Sequence, residues 1–375
     1  MSAEPLSLHR ALAEQHRVRA LASGRAGVGG PFPEPVRVEI QPTARCHRTC
    51  AFCSHLTRNA AGGDLPEPLV LALLGELADM GVRKVAISGG GEPLIWEGSL
   101  AAVLQAAARF GSPTLTTSGD QLWDDGSGTL SDLARSVLPA CDALLLNVPG
   151  VDDASLRLQL VGGPTWARTR QLLAALVAFS GHVHRPEIYV VVVVNSRNLH
   201  DLPAIDRTLT GLGISHIYYK RIKLYEPPGG RAKLRVEPEG FHGLAAALGD
   251  GAASAGLRRF VANVEPPRDA PVPCRMVELG FDAVIDPRGD VFVCTPTVGE
   301  AEHAIGNVYA SRFAEIWGGP RHQEVVSALT RRSAAGSCPG ECRYHPHNRA
   351  IRDLLSGSEG GGPPLLSNAG LDDAL

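Results

Sequence analysis

The sequence predicts a parallel α/β fold followed by a small β-hairpin-plus-helix unit. Three observations predict it. Six strand-like segments alternate with helical ones between residues 36 and 258, the pattern of a parallel sheet covered by helices. One of them, Glu187 to Val194, is almost continuously apolar, as a buried parallel strand must be. After about residue 265 the alternation stops, and two short strand-like runs flank Pro287-Arg288-Gly289, a hairpin signal.

The elements follow in order. Residues 1–35 read as an N-terminal extension, with a helix over Leu6 to Leu21 and a Gly/Pro-rich linker from Gly24 to Pro35. Val36 to Gln41 is the first strand. Glu67 to Met80 is a helix with Leu69, Leu73 and Leu77 on one face, closed by Gly81. Val82 to Ser88 is the second strand, Ser99 to Phe110 a helix, and Thr114 to Thr117 the third strand. Ser131 to Leu138 is a helix before the strand Ala143 to Val148, and Trp166 to Phe179 a helix before Glu187 to Val194. Leu199 to Leu212 is a helix, His216 to Ile222 the sixth strand, and Phe241 to Leu257 a last helix. The second unit, 265–350, holds the strands Phe281 to Asp286 and Asp290 to Thr295, then helices over Ser311 to Trp317 and Arg321 to Leu329, then a Cys-rich loop. Residues 355–375, with Gly360-Gly361-Gly362-Pro363-Pro364, read as a mobile tail.

At roughly 150 residues per domain, 375 residues suggest two to three domains. Lys plus Arg number 36 and Asp plus Glu 39, a net charge of −3, which argues against a dedicated nucleic-acid binder. The N-terminus MSAEPLSLHR has no apolar targeting region, and no run approaches the ~18 apolar residues that a membrane span needs. The expectation is a cytoplasmic protein with neither a membrane nor a nucleic-acid partner. In that compartment disulfides are disfavoured, so the eight cysteines point to metal or redox chemistry.

Cys46, Cys50 and Cys53 form a CxxxCxxC array directly after the first strand, on a loop at that strand's C-terminal end. Three thiolates hold three irons of a [4Fe–4S] cube, whereas an ordinary ferredoxin-type cluster uses four. The fourth iron is then open to another ligand. Zinc is the alternative, with His47 or His55 as the fourth ligand.

With Phe52 just before the third cysteine, the array resembles the signature of the radical S-adenosylmethionine enzymes. Gly90-Gly91-Glu92-Pro93, at the end of the second strand, resembles the segment that binds the methionine amino group of the cofactor in that family. The residue chemistry agrees: glycines let a backbone approach a ligand closely, and a carboxylate suits an ammonium. The resemblance implies a partial (β/α)6 TIM-like barrel over 36–258 and further cofactor contacts. Ser118 lies in a segment similar to the family's TNG, Asn147 ends the fourth strand near the expected ribose position, and Asn195 ends the fifth. Each of these three is equally readable as a turn or a helix cap. Pro149 stands where many relatives have Asp.

Cys274, Cys294, Cys338 and Cys342 form a second set, complete for zinc or for one [4Fe–4S] cluster. The arrangement resembles the twitch form of the SPASM extension, which carries one auxiliary cluster; full SPASM domains carry seven cysteines and two clusters. His345 and His347, after Cys342, read as exposed residues of a polar tail.

The resemblance implies S-adenosylmethionine and two [4Fe–4S] clusters, a flavodoxin- or ferredoxin-type electron donor and a small-molecule substrate. The family's cluster reduces the sulfonium to give a 5′-deoxyadenosyl radical, which takes a hydrogen from substrate. Cys141, the one cysteine outside both sets, reads as a buried small residue at the far end of its strand. An auxiliary cluster with all its ligands supplied then suggests oxidation of a carbinol carbon to a ketone. That resembles twitch-containing dehydrogenases acting on aminocyclitol or sugar intermediates of antibiotic biosynthesis. The alternatives are a peptide-modifying maturase, and a redox-neutral epimerase, decarboxylase or dehydratase on a sugar-like substrate. A scaffold holding two zinc ions is the non-enzymatic reading. Tyr219 and Arg221 share one face of the sixth strand and are the candidates to meet substrate at the barrel mouth, with Lys220 on the other face. Their other reading is a sheet edge paired with Glu226 or Glu187. Asp152 and Asp153 read as helix caps before substrate contacts.

Overall fold

The structure is a computed structural model and describes residues 32–53, 62–183, 185–222, 233–236, 241, 258–262, 273–339, 342–345, 347–348 and 351–352. The expected helix at Leu6 to Leu21, that at Phe241 to Leu257 apart from Phe241 itself, most of the first linker and the C-terminal tail lie outside the described residues.

Strand β1 (Arg37–Ile40) is wholly buried and sits between two parallel neighbours. On one side is β3 (Lys84–Ile87), on the other β12 (Asp282–Ile285). Through β3 the sheet continues in parallel to β4 (Thr114–Thr117), β7 (Ala143–Asn147), β9 (Glu187–Val194), β10 (His216–Arg221) and β11 (Arg258–Ala262). Through β12 it continues antiparallel to β13 (Asp290–Phe292) and β14 (Gly306–Asn307). The C-terminal hairpin therefore extends the same ten-stranded sheet and does not build a sheet of its own. All six expected strands are present, with ends shortened by up to two residues.

Helix α1 (Glu67–Asp79) starts on Pro66 and ends at Gly81, whose φ of 84° suits glycine. It buries Val70, Leu73, Leu74 and Leu77, so the apolar stripe is turned one residue from the Leu69–Leu73–Leu77 line. Helix α2 (Leu100–Ala107) is capped by Ser99 and α3 (Asp132–Val137) by Ser131, each accepting an N–H three residues on. The expected helix over Ser99 to Phe110 tightens into a 3₁₀ turn at Ala108–Phe110. Helix α4 (Asp153–Gln159) leads into β8 (Leu160–Val161), which pairs with β2 (Thr49–Cys50). A second small hairpin joins β5 (Trp123–Asp124) and β6 (Thr129–Leu130). Neither pair was expected, because two-residue strands carry no period. Helices α5 (Trp166–Val183) and α6 (Leu202–Gly211) complete the cover of the first unit. In the second, α7 (Arg275–Glu278) precedes β12, and α8 (Phe313–Ile316) and α9 (Pro320–Ala334) follow β14.

Strand parity separates two faces. Val38, Ile40, Val85, Ile87, Leu115, Leu144, Leu146, Val190, Val192, Ile217 and Tyr219 join the helices in the main core. The inner face carries Arg37, Glu39, Lys84 and Asn147, with a smaller apolar cluster of Leu145, Tyr189, Val191 and Tyr218. Glu39 is buried there. Burial opposes its charge, but the Arg37 guanidinium and the donors Gln41 and Ser88 hold its carboxyl below the usual range.

Candidate active site

Cys46, Cys50 and Cys53 lie on the loop that leaves the C-terminal end of β1, where parallel α/β sheets gather function. Cys50 belongs to β2 and pairs with Leu160, and the Ala51 N–H donates to the Gln159 carbonyl at 2.8 Å. On the loop's other flank the Gly91 N–H donates to the Thr43 carbonyl and the Glu92 N–H to the Arg45 carbonyl, both at 2.8 Å. The contact admits nothing larger than glycine. A Cβ on Gly91 would lie 2.0 Å from the Arg45 carbonyl oxygen, and one on Gly89 1.7 Å from that of Gly91. The cysteine array and the Gly90-Gly91-Glu92 segment, distant in sequence, are thus one interlocked unit. Phe52 is half-buried beside Cys53.

Burial pushes the Cys50 thiol up to about 12 and raises that of Cys46, and charge on Cys53 adds to both shifts. Thiols that oppose one another's ionisation are close together. They ionise together only when a cation lies among them, which is what a metal centre supplies. The donor set therefore fits a metal cluster with three thiolate ligands.

His47 does not complete it. Its Nε2 lies 2.5 Å from Asp120 Oδ2 and its Nδ1 3.4 Å from the Gln121 amide. Arg48 Nε donates to the same Asp120 carboxylate at 2.7 Å, and Arg168 Nη2 to the Asp120 carbonyl at 2.9 Å. Burial works against the Asp120 charge, but the hydrogen bonds from His47 and Arg48 hold its carboxyl below the usual range. The expectation that His47 serves as a fourth zinc ligand is corrected by this engagement. His55 lies outside the described residues.

Glu92 also departs from expectation. It is 3% exposed, and its carboxylate is committed within the protein. Oε1 accepts from the Leu94 N–H at 3.0 Å and from Thr117 Oγ1 at 2.5 Å, and Oε2 from the Ser118 N–H at 2.7 Å. The side chain braces the loop after β3 against the loop after β4.

Ser118 Oγ and Asn147 Oδ1 are buried and have no hydrogen-bond partner. Both line one cavity at the strand ends, with Arg48, Asp120 and Leu172. Each such orphan costs about 1–3 kcal/mol unless a polar group meets it. The cavity's volume of about 10 Å³ admits no more than a water-sized polar group to meet them.

Asn195 is no such orphan. It is fully buried, and its amide is saturated. Its Oδ1 accepts from Gln159 Nε2 at 3.1 Å and from the Arg197 N–H at 3.0 Å, and its Nδ2 donates to Gln159 Oε1 at 3.0 Å. It ties the loop after β9 to the end of α4, so the expected cofactor contact is corrected.

Tyr219 and Arg221 are corrected too. They share a face, but it is the helix-covered one. Tyr219 is fully buried and donates to Asp206 Oδ1 at 2.7 Å; Arg221 is 1% exposed and donates to the Val236 carbonyl at 3.1 Å. Tyr218 and Lys220 take the inner face, opposite Val191 and Val193. Asp152 caps α4 through the Ser155 N–H, and Asp153 accepts the Trp166 N–H at 2.6 Å, as expected of caps. Cys141 is buried at the start of its strand, and burial pushes its thiol up to about 12.

The second cysteine set converges at the opposite, N-terminal, end of the parallel strands. Cys294 lies two residues beyond β13, which runs antiparallel to β12 and so back toward the strands' N-terminal ends. Cys274 stands at the start of α7. Burial pushes its thiol up to about 12 and that of Cys294 well above the usual range. Cys342 and Cys338 oppose ionisation of both, so the four thiols share one neighbourhood, a donor set complete for a cluster. Asn348 Nδ2 donates to Cys274 Sγ at 3.4 Å and its Oδ1 accepts the Met276 N–H at 3.0 Å. Nothing in the local sequence marks Asn348, Asp120 or Gln159 for these roles. His345 and His347 are half-buried, not exposed.

Among the described residues no helix is long and apolar enough to cross a membrane. Residues 40–209 match the Radical SAM superfamily, and residues 274–343 the SPASM iron–sulfur cluster-binding domain. A curated relative from Pyrococcus furiosus, a tungsten-containing aldehyde ferredoxin oxidoreductase cofactor-modifying protein, is 25% identical over 178 residues. That match covers 47% of this chain and 48% of the relative, so the chain matches about half of the relative's length. Among solved structures, SuiB of Streptococcus suis bound to precursor peptide SuiA superposes with a TM-score of 0.64 at 16% identity, over 88% of this chain and 74% of that one. The anSMEcpe enzyme with bound AdoMet and the Kp18Cys peptide superposes with a TM-score of 0.58 at 13% identity, over 86% of this chain and 97% of that one. These likenesses establish the fold: an α/β unit with the parallel sheet of a radical SAM partial barrel, followed by a small C-terminal domain.

Proposed function

We propose that this chain, whose residues 40–209 match the Radical SAM superfamily and 274–343 the SPASM domain, is a radical SAM enzyme that modifies a peptide by hydrogen-atom abstraction. Cys46, Cys50 and Cys53 would hold the cluster that binds S-adenosylmethionine, and together these supply a 5′-deoxyadenosyl radical. Gly89 and Gly91 keep the adjoining backbone flush against the cysteine loop, and Glu92 fixes its distance from Ser118. Ser118 and Asn147, whose buried oxygens lack partners beside this loop, would be the polar groups nearest at hand for the cofactor. Cys274, Cys294, Cys338 and Cys342 would hold the auxiliary cluster.

The observation that carries the peptide reading is the superposition on SuiB and anSMEcpe, both solved with peptides, through the barrel and the C-terminal unit alike. A second reading is oxidation of a carbinol carbon in a small sugar or aminocyclitol intermediate. The four auxiliary cysteines favour it, as they match the short twitch pattern with its single auxiliary cluster. The test is incubation of the reconstituted enzyme with S-adenosylmethionine, a reductant and precursor peptides encoded beside it. Mass spectrometry reporting a modified peptide, matched by 5′-deoxyadenosine, supports the first reading. Turnover of cyclitol or sugar alcohols alone supports the second.

A further inference from the structure

Within the cysteine loop Cys46, His47 and Thr49 are exposed, yet Arg48 among them is only 6% exposed. Its guanidinium is turned inward and held on the Asp120 carboxylate by two bonds, Nε to Oδ2 at 2.7 Å and Nη2 to Oδ1 at 2.5 Å. This is a bidentate arginine–carboxylate pair, which fixes direction as well as distance. Nη2 also donates to the Ser118 carbonyl at 3.4 Å. Asp120 is itself set at the turn after β4, where Arg168 Nη2 donates to its carbonyl at 2.9 Å. A buried arginine with a fixed heading thus stands between the first and second cysteines of the array.

Stability does not account for it. A buried ion pair regains about what its desolvation costs, and apolar side chains of similar volume often serve as well or better. What the pair does supply is a local field. Arg168 Nη1 also faces Asp120 Oδ1, at 3.4 Å, while the other partner of Arg168, Asp125, has a side chain 67% exposed and is screened by solvent. Two guanidinium groups therefore share one shielded carboxylate, and the local balance is positive. The neighbouring thiols respond to it with the matching signs. Burial raises Cys46 and Cys50, the Arg48 charge works against both rises, and the Asp120 charge adds to that of Cys50.

We infer that Arg48 is the charge that makes a cluster held by Cys46, Cys50 and Cys53 easier to reduce, and that Asp120 is the positioning residue that aims it and limits its effect. The inference rests on the proposed function only in taking these three cysteines as ligands of a redox cluster. In the step affected, an external one-electron reductant loses one electron and the cluster gains it; no bond forms or breaks. The reduced state is more negative by one charge, and a fixed cation favours it most where water is excluded. Net charge and hydrogen bonding around the sulfurs are what set such potentials.

The test is a potential titration of the anaerobically reconstituted full chain, with dithionite as reductant and electron paramagnetic resonance as readout. Cys294→Ala protein marks which signal belongs to the first cysteine set. In Arg48→Gln the midpoint is expected to fall. A ten-fold drop in the reduced-to-oxidised ratio at a given potential corresponds to about 59 mV for one electron. Arg48→Lys, which keeps the charge without the planar fork, should hold the midpoint near that of the unaltered protein. Asp120→Asn, which removes the opposing charge, should raise it. A structural clasp would give a different pattern, with iron lost from Arg48→Gln and Asp120→Asn alike and the midpoint of the loaded fraction unchanged; that result overturns the inference. So does an unmoved midpoint in Arg48→Gln at full iron content, or a shift of the same sign in both variants. Failure of the first set to take up iron in the unaltered protein would remove the ligand reading and this inference together, whereas an unmoved midpoint leaves that reading standing.

Discussion

Glu92 Oε2 accepts the Ser118 N–H at 2.7 Å, a bond that joins the turn after β3 to the turn after β4. The same carboxylate takes Leu94 and Thr117 as donors, so three donors converge on one acceptor-only group. An amide cannot replace it: Glu92→Gln turns an NH₂ toward one of those donors and leaves it unpaired. We expect the change to cost about 1–3 kcal/mol of stability and to weaken binding of S-adenosylmethionine. Thermal unfolding and calorimetric titration measure the two effects. Affinity that stays at the wild-type value would show that the brace is not needed for the cofactor.

The two cysteine sets sit at opposite ends of the strands, so their losses should be separable. The intact protein should hold about eight irons after anaerobic reconstitution, and either Cys46→Ala or Cys294→Ala should bring the count toward about four. Only Cys46→Ala should abolish 5′-deoxyadenosine. Cys294→Ala should still form it with dithionite while losing substrate product. Iron and sulfide analysis with chromatography of the nucleoside checks both. Unchanged product from Cys294→Ala would show that the auxiliary site is dispensable for the reaction.

Sequence reading succeeded where the signal is local. Alternating strand and helix periods located six of the eight parallel strands, β1, β3, β4, β7, β9 and β10, and the hairpin signal located β12, while β11 was not expected; the cysteine spacings singled out the two thiol sets. It failed where the partner is remote. β12 lies beside β1 from more than two hundred residues away, and no period announces a parallel pairing of that span. A period of two says that Tyr219 and Arg221 share a face, but not which face. Val191 and Val193 on the inner side are as apolar as Val190 and Val192 beneath the helices. Asn195 looked available to a ligand because its partner, Gln159, lies 36 residues earlier.

His322 is fully buried between Phe32 and Trp317, with ring centroids 4.3 Å from each, and its Nδ1 accepts the Gly318 N–H at 2.7 Å. Burial lowers its pKa from 6.5 to about 4. The unfolded chain therefore takes up a proton there between these values and the native protein does not. Stability is fully present above the unfolded pKa and falls as pH drops from 6.5 toward about 4, by up to about 3 kcal/mol. Urea unfolding midpoints at pH 7 and pH 5 should differ accordingly, and His322→Gln should remove this residue's share of the slope. An unaltered slope in that variant would place the titrating group elsewhere.

Asn348 is the residue whose effect is least expected from sequence and most directly read as a potential. Its Nδ2 donates to Cys274 Sγ at 3.4 Å, while its Oδ1 is fixed by the Met276 N–H, so the amide cannot turn its oxygen to the sulfur without breaking that bond. Hydrogen bonds to ligand sulfurs help set cluster potentials, because a donor stabilises the more negative, reduced state. A bond worth about 1 kcal/mol corresponds to about 40 mV for one electron. Asn348→Ala should therefore lower the auxiliary cluster's potential by that order. The titration is cleanest where only the auxiliary site is loaded, in a protein with Cys46, Cys50 and Cys53 all replaced by alanine, followed by electron paramagnetic resonance. A merely structural role would reduce iron occupancy without moving the midpoint of the loaded fraction. A midpoint that moves down at full occupancy assigns the shift to the lost N–H···S bond.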